Sequence, residues 1–272
     1  MRRVSRRVTR RPSRRAVLSA GAGAAVLTGA AAVGVRAMRT PEVATHRFCS
    51  AAVGTDVTWA VSRPAGTSPS GPLPVVLALH GKGGNHTDAF SSVGLQDAPR
   101  GPVPFAVVSV DGGGTYFHRR RGGVDEGAMV ATELLPQLTA DGLDVSRLAL
   151  IGRSMGGYGA LLLAATLLRG RVRAVTTMSA ALWTSPGASA PGAFDDADDF
   201  RAHDVFALRP ALARVPMMLA CGDSDPFIRA NHAFVDGLAT APPTQFTAGG
   251  HTDDYWRRTA PSLVRFASAH LA

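Results

Sequence analysis

Gly152-Arg153-Ser154-Met155-Gly156 is the single G-x-S-x-G run of the chain, and a serine in that setting can attack an acyl carbon. The run directly follows the apolar Leu148-Ala149-Leu150-Ile151 and precedes a helix-like stretch from Gly156 to Leu168. A strand, a sharp turn and a helix in that order lift a serine oxygen out of a sheet, and small neighbours let backbone approach backbone. A serine hydroxyl is a weak nucleophile at neutral pH, so a base is required. His251 is the candidate, following Gly249-Gly250 just past the strand-like Thr244 to Ala248. A third group should lie on the loop after the preceding strand, where Cys221-Gly222-Asp223-Ser224-Asp225-Pro226 offers two carboxylates. Asp225 is preferred to Asp223 for the loop geometry such a triad needs. Its role would be to hold the neutral imidazole in one tautomer and stabilise the imidazolium that forms.

The oxyanion of an acyl-transfer intermediate needs preorganised N–H donors, each contributing about 3 to 4 kcal/mol. His80-Gly81-Lys82-Gly83-Gly84 follows the strand-like Val75 to Leu79 and resembles the H-G-x-G-G loop that supplies one of them. The backbone N–H groups of Lys82 and Met155 are the expected donors, with His80 bracing the loop. A phosphate-cradling loop is excluded, because no Ser or Thr follows Lys82 directly. His86, His203 and His232 are expected to be satisfied surface or loop residues, since no pair of them has metal-ligand spacing. The acidic run Asp195 to Asp199 lacks the spacing of a calcium loop with its terminal Glu, so a solvated face is expected there, and no metal site.

These residues must be positioned by a sheet. Short, continuous apolar runs at Val75 to Leu79, Phe105 to Val110, Leu148 to Ile151, Ala174 to Met178 and Met217 to Cys221 read as strands buried on both faces. Helical stretches alternate with them at Glu126 to Leu138, Gly156 to Leu168, Phe227 to Leu238 and Asp254 to Leu271. Alternation of this kind implies an α/β fold with a mostly parallel sheet covered on both sides, and ligands of such sheets bind at the carboxyl ends of the strands. Val43 to Val61, around Gly54-Thr55-Asp56, suggests two antiparallel edge strands, followed by a Pro, Ser and Gly-rich loop from Pro64 to Pro74. Residues 182–215 break the rhythm and are expected to form a short cap or a long loop.

The 272 residues carry a formal charge of +9, with 29 basic and 20 acidic side chains. Nine of the arginines precede Met38 and no acid does, so the remainder is balanced at 20 and 20. A neutral body offers no electrostatic footprint for nucleic acid. The basic stretch to Arg15, the uncharged Ala16 to Val35 and the small-residue pattern Val35-Arg36-Ala37 read as a targeting segment over residues 1–37, ahead of a single domain over 38–272. Ser13-Arg14-Arg15-Ala16-Val17-Leu18 resembles the twin-arginine export signal, with Val17 where Phe is usual. The export machinery is therefore an expected partner and the location secreted or extracytoplasmic, with membrane attachment only if the segment is retained. Cys49 and Cys221 are expected to be unpaired and buried, because several strands of a sheet would separate them.

Taken together, Leu79-His80-Gly81, Val110-Asp111-Gly112-Gly113, Asp125-Glu126-Gly127-Ala128-Met129-Val130 with Glu133-Leu134-Leu135-Pro136, Ser154-Met155-Gly156-Gly157-Tyr158-Gly159-Ala160, Cys221-Gly222 through Asp225, and Gly250-His251 are similar to exported bacterial α/β-hydrolases. The order Ser, Asp, His along the chain is also theirs. The resemblance is to the esterase group of S-formylglutathione hydrolases, feruloyl esterases and mycolyltransferases, and runs from Val75 to the C-terminus. It implies an α/β-hydrolase fold of about eight strands. It implies hydrolysis of small-molecule or polymer-linked carboxylic esters through an acyl-enzyme, without metal or organic cofactor. An acyltransferase with the same triad and a non-catalytic surface-binding protein on this scaffold are the alternatives. Arg153 and Lys82 depart from the usual residues at their positions. Tyr116-Phe117-His118 with Arg119 to Arg121 are read either as a substrate wall or anion contact, or as an exposed basic turn.

Overall fold

The computed structural model describes residues 42–64, 71–97 and 103–272. The expected targeting segment and most of the Pro64 to Pro74 loop lie outside these residues. Eight strands form one sheet: β1 (Val43–Ser50), β2 (Thr55–Ser62), β3 (Leu73–Leu79), β4 (Ala106–Val110), β5 (Leu143–Arg153), β6 (Val172–Met178), β7 (Met217–Gly222) and β8 (Thr244–Thr247), in the order β1-β2-β4-β3-β5-β6-β7-β8. β1 and β2 pair antiparallel, β2 joins β4 antiparallel, and every other pair is parallel. This is the α/β-hydrolase fold expected from the sequence.

The strands at the centre are buried along their whole length because helices cover both faces; all seven residues of β3 and all five of β4 are closed to solvent. The helices are α1 (Asp88–Ser91), α2 (Glu126–Ala128), α3 (Leu135–Ala140), α4 (Met155–Ala165), α5 (Ala197–Ala202), α6 (Arg209–Leu212), α7 (Ile228–Asp236) and α8 (Asp253–Ala269). α4 is apolar all round and all eleven of its residues are buried, as befits a helix running through the core. α8 is amphipathic and lays Leu263, Val264 and Ala267 on the other face of the sheet. Emptying such a site by Leu263→Ala would cost about 2 to 5 kcal/mol.

The expected helix over Glu126 to Leu138 is interrupted: a π-helical turn, Met129–Leu134, separates α2 from α3. Residues 182–215 contain a 3-10 turn (Pro186–Ala188), α5 and α6 rather than an unstructured loop. Cys221 is buried and free, whereas Cys49 is free but exposed, which corrects the expectation for it. β1 is an edge strand whose outer residues face solvent, so alternation along it leaves the Cys49 position uncovered. Among the described residues no helix is long and apolar enough to cross a membrane.

Candidate active site

Ser154 sits between the end of β5 and the first turn of α4 with φ 53° and ψ −117°, a conformation that costs a residue with a side chain about 1 to 3 kcal/mol. The surroundings enforce it. Ser154 N–H donates to Met178 O at 2.9 Å, and its carbonyl accepts from Tyr158 N–H at 3.1 Å and Ala181 N–H at 3.0 Å. The flanking glycines are required for contact: a Cβ on Gly156 would collide with the Leu79 carbonyl, and one on Gly152 with the Gly156 carbonyl. The serine is thus pressed against the end of β3, from which the glycine-rich loop departs.

His251 and Asp225 arrive from the loops after β8 and β7. His251 Nε2 lies 3.0 Å from Ser154 Oγ, and Nδ1 lies 2.8 Å from Asp225 Oδ2. The Asp225 side chain is fully closed to solvent, and Oδ1 accepts the Phe227 N–H at 2.9 Å. Burial pushes the Asp225 carboxyl up, yet hydrogen bonds from His251, Phe227 N–H and Ser179 outweigh it and hold the group below its ordinary range. A carboxylate at Nδ1 makes that nitrogen the donor and leaves Nε2 free to accept the serine proton. Asp223 is exposed and turned elsewhere, accepting the Gly249 N–H at 3.2 Å and the Ser224 hydroxyl at 3.1 Å.

The loop after β3 lies against the serine, since a Cβ on Gly81 would stand 3.4 Å from Ser154 Cβ. His80 fixes the loop: Nδ1 donates to Gly81 O at 2.7 Å and Nε2 accepts Gly112 N–H at 2.8 Å. Burial lowers its pKa, consistent with the neutral ring these contacts need. The backbone N–H groups of Lys82 and Met155 have no acceptor among the described residues. The Lys82 ammonium donates to Pro191 O at 3.1 Å and lies 6.0 Å from the Tyr116 ring centroid.

Several positioning residues carried no sequence signal. Trp256 of α8 stands edge-on to the His251 ring at 5.0 Å and donates its indole N–H to Ser179 Oγ at 3.0 Å. Phe227 packs on the same imidazole at 5.5 Å. Arg153 is held between two carboxylates and an indole. Its guanidinium lies 2.6 Å from Asp88 Oδ2, 3.5 Å from Asp253 Oδ1 and 4.5 Å from the Trp256 ring. Beside His251, Trp183, Leu182, Pro226 and Phe227 line an open groove of about 380 Å³ with Arg229 at its edge.

Within the Tyr116 to Arg121 stretch the aromatic half is buried, while Arg119 and Arg121 are exposed, as expected of a basic turn. Tyr116, Phe117 and His118 are buried, while Arg120 pairs with Asp195 at 2.9 Å and Arg121 with Asp196. The basic turn and the acidic run are each other's partners, and Asp195, Asp196 and Asp198 are exposed, as expected of a solvated face. Glu126 closes the base of this loop, accepting N–H groups from Gly114 at 2.9 Å, Thr115 at 3.1 Å and Phe117 at 3.3 Å.

The model of the "Putative esterase" family matches residues 50–259. Among curated proteins no sequence matches. Solved structures similar to the chain include a ferulic acid esterase (TM-score 0.70, 21% identity, 85% of this chain and 98% of that one). An S-formylglutathione hydrolase from Agrobacterium tumefaciens aligns with TM-score 0.69 and 18% identity over 86% of this chain and 96% of that one. MPT51 from Mycobacterium tuberculosis aligns with TM-score 0.67 and 17% identity over 85% of this chain and 99% of that one. At these identities the structural likeness speaks for the fold, and the family match for the activity. The chain belongs to the putative esterase family and is a carboxylic ester hydrolase with the α/β-hydrolase fold.

Proposed function

We propose that the protein is a serine esterase working through an acyl-enzyme, with Ser154 as nucleophile, His251 as general base and acid, and Asp225 as the orienting carboxylate. The observation that carries this reading is the unbroken relay of 3.0 and 2.8 Å contacts from Ser154 Oγ through the imidazole to a buried carboxylate. Ser154 Oγ bonds to the ester carbonyl carbon as its proton passes to His251 Nε2. The resulting oxyanion is held by the Lys82 and Met155 N–H groups. Collapse expels the alcohol, which takes the proton from the imidazolium, and leaves the acyl group on Oγ. Water then gives a proton to His251 and attacks the acyl carbon; the carboxylic acid departs and Oγ regains its proton.

The substrates are small-molecule or polymer-linked esters, and the groove beside Phe227 and Trp183 offers an apolar wall for one side of them. Residues 1–37 act as a twin-arginine export signal, so the enzyme works outside the cytoplasm. Turnover of p-nitrophenyl esters from acetate to palmitate, with a feruloyl ester and an amide alongside, tests the reading. Ser154→Ala and His251→Ala are each expected to lower ester turnover about 10⁴-fold or more. Undiminished turnover in Ser154→Ala would refute it.

A further inference from the structure

Outside the catalytic region, the loop after β4 and the segment between β6 and β7 bring together His118, Asp199 and His203, each of which offers a ligand atom within 4.8 Å of the others. His118 has a side chain only 1% exposed, and its Nε2 lies 3.0 Å from Ala193 O. A carbonyl can only accept, so Nε2 carries a hydrogen, and in the neutral ring Nδ1 then presents a lone pair. That lone pair faces oxygen: Arg119 O at 3.2 Å and Asp199 Oδ1 at 3.6 Å. A buried, unprotonated nitrogen among acceptors is repulsive unless something positive sits between them.

The other two groups are aimed at the same point. Asp199 Oδ2 accepts the Asp195 N–H at 2.7 Å, which turns Oδ1 toward the imidazoles. His203, one helical turn after Asp199, puts Nδ1 2.9 Å from that Oδ1 and 2.9 Å from the Asp199 carbonyl oxygen. The two imidazole centroids are 4.3 Å apart. Tyr158 donates its hydroxyl to His203 O at 2.8 Å, fixing the end of α5. The outer contacts are those that orient metal ligands: a carbonyl on the far nitrogen of one imidazole and an N–H on the far oxygen of the carboxylate. A proton on His118 Nδ1, shared with Arg119 O and Asp199 Oδ1, is the competing occupant of the same space, and the metal titration below separates the two.

We propose that His118, Asp199 and His203 bind one divalent transition-metal ion of the zinc class, clasping the loop after β4 to the segment between β6 and β7. Two imidazoles and one carboxylate suit zinc and its late first-row neighbours better than calcium or magnesium, which prefer all-oxygen sets. A tetrahedral zinc holds its donors about 3.4 Å apart, so the trio closes on the ion by side-chain rotation, with His203 leaving water access to the fourth position. His203 Nδ1 gives up its proton on binding. The trio shares no residue with Ser154, Asp225 and His251, so the proposal does not depend on the esterase mechanism.

The test is calorimetric titration of the chelator-treated full chain with zinc, together with the visible absorption of its cobalt complex and thermal unfolding with and without zinc. Expected are one equivalent of zinc, tetrahedral cobalt bands and a raised Tm. His203→Gln and Asp199→Asn should each weaken binding by at least about tenfold, while His251→Gln, which removes the imidazole of the catalytic region, should leave it unchanged. Asp199→Asn keeps an oxygen for the Asp195 N–H, so it guards against loss of binding through misfolding. No binding by the unaltered chain, or binding that vanishes in His251→Gln and persists in His203→Gln, would overturn the proposal.

Discussion

The Asp225 carboxylate stands 2.8 Å from Nδ1 of His251 with none of its side chain open to solvent, whereas Asp223, two residues earlier, is exposed and bonded to the backbone of another loop. One acidic loop therefore holds a buried carboxylate that fixes an imidazole and a second that only ties two loops together. Asp225→Asn should leave the fold intact and cut ester turnover by about 10⁴-fold, because an amide at that place favours the wrong imidazole tautomer. Asp223→Asn should change turnover by less than about threefold, the effect of losing exposed hydrogen bonds. Steady-state kinetics on both variants decide, and a reversed order would contradict the assignment.

Glu126 supports the loop that carries Tyr116 through three backbone N–H groups, and Glu126→Ala strands those donors in the interior. The expected loss of stability is about 3 kcal/mol or more. Burial pushes the Glu126 carboxyl up, against the pull of the hydrogen bonds from Thr115, Phe117 and Gly114. A raised folded pKa means that its contribution is whole below the ordinary glutamate value near 4.3 and declines as pH rises through the folded value. Urea unfolding of both proteins across this range should show the gap between them narrowing with rising pH; a widening gap would count against the account.

Arg153 ties the end of β5 to α1 and α8, with its side chain only 12% exposed and that of Asp88 16%. Arg153→Ala leaves Asp88 without its countercharge and should cost about 3 kcal/mol. Because the guanidinium also lies within 3.3 Å of where a Gly81 Cβ would be, turnover should fall with it. Arg153→Lys should recover little, since an ammonium cannot reach two carboxylates and stack on Trp256 at once. Thermal unfolding and kinetics of the two variants check this.

The export reading makes a prediction in the cell. With Arg14 and Arg15 both replaced by Lys, precursor should accumulate in the cytoplasm and the secreted fraction should drop, read by immunoblot of cell fractions. Unchanged secretion would contradict a twin-arginine signal.

What the sequence made legible were features with a local cause. Continuous apolar runs marked the parallel strands because burial on both faces leaves no room for alternation, and the setting of Ser154 after one run and before a helix marked the turn. The edge strand β1 was legible as a strand but not in its exposure, since burial at an edge depends on what covers it. The partners of Arg120 and Arg121 lie 75 positions away in the chain, and Asp199 lies 81 positions from His118, so no spacing rule reaches them. Glu126 was visible within a motif, but its work of collecting N–H groups from a folded-back loop depends on the positive φ of Gly113, Tyr116 and Phe117. Trp256 gave no warning because a tryptophan on an amphipathic helix is ordinarily a core residue.

The proximity of Ser154 Oγ to His251 Nε2 is tested most directly by fluorophosphonate labelling followed by peptide mass mapping. A single adduct on Ser154, absent in Ser154→Ala and strongly slowed in His251→Ala, is the predicted result. An adduct on another residue, or labelling of Ser154 that proceeds at full rate without His251, would contradict the mechanism.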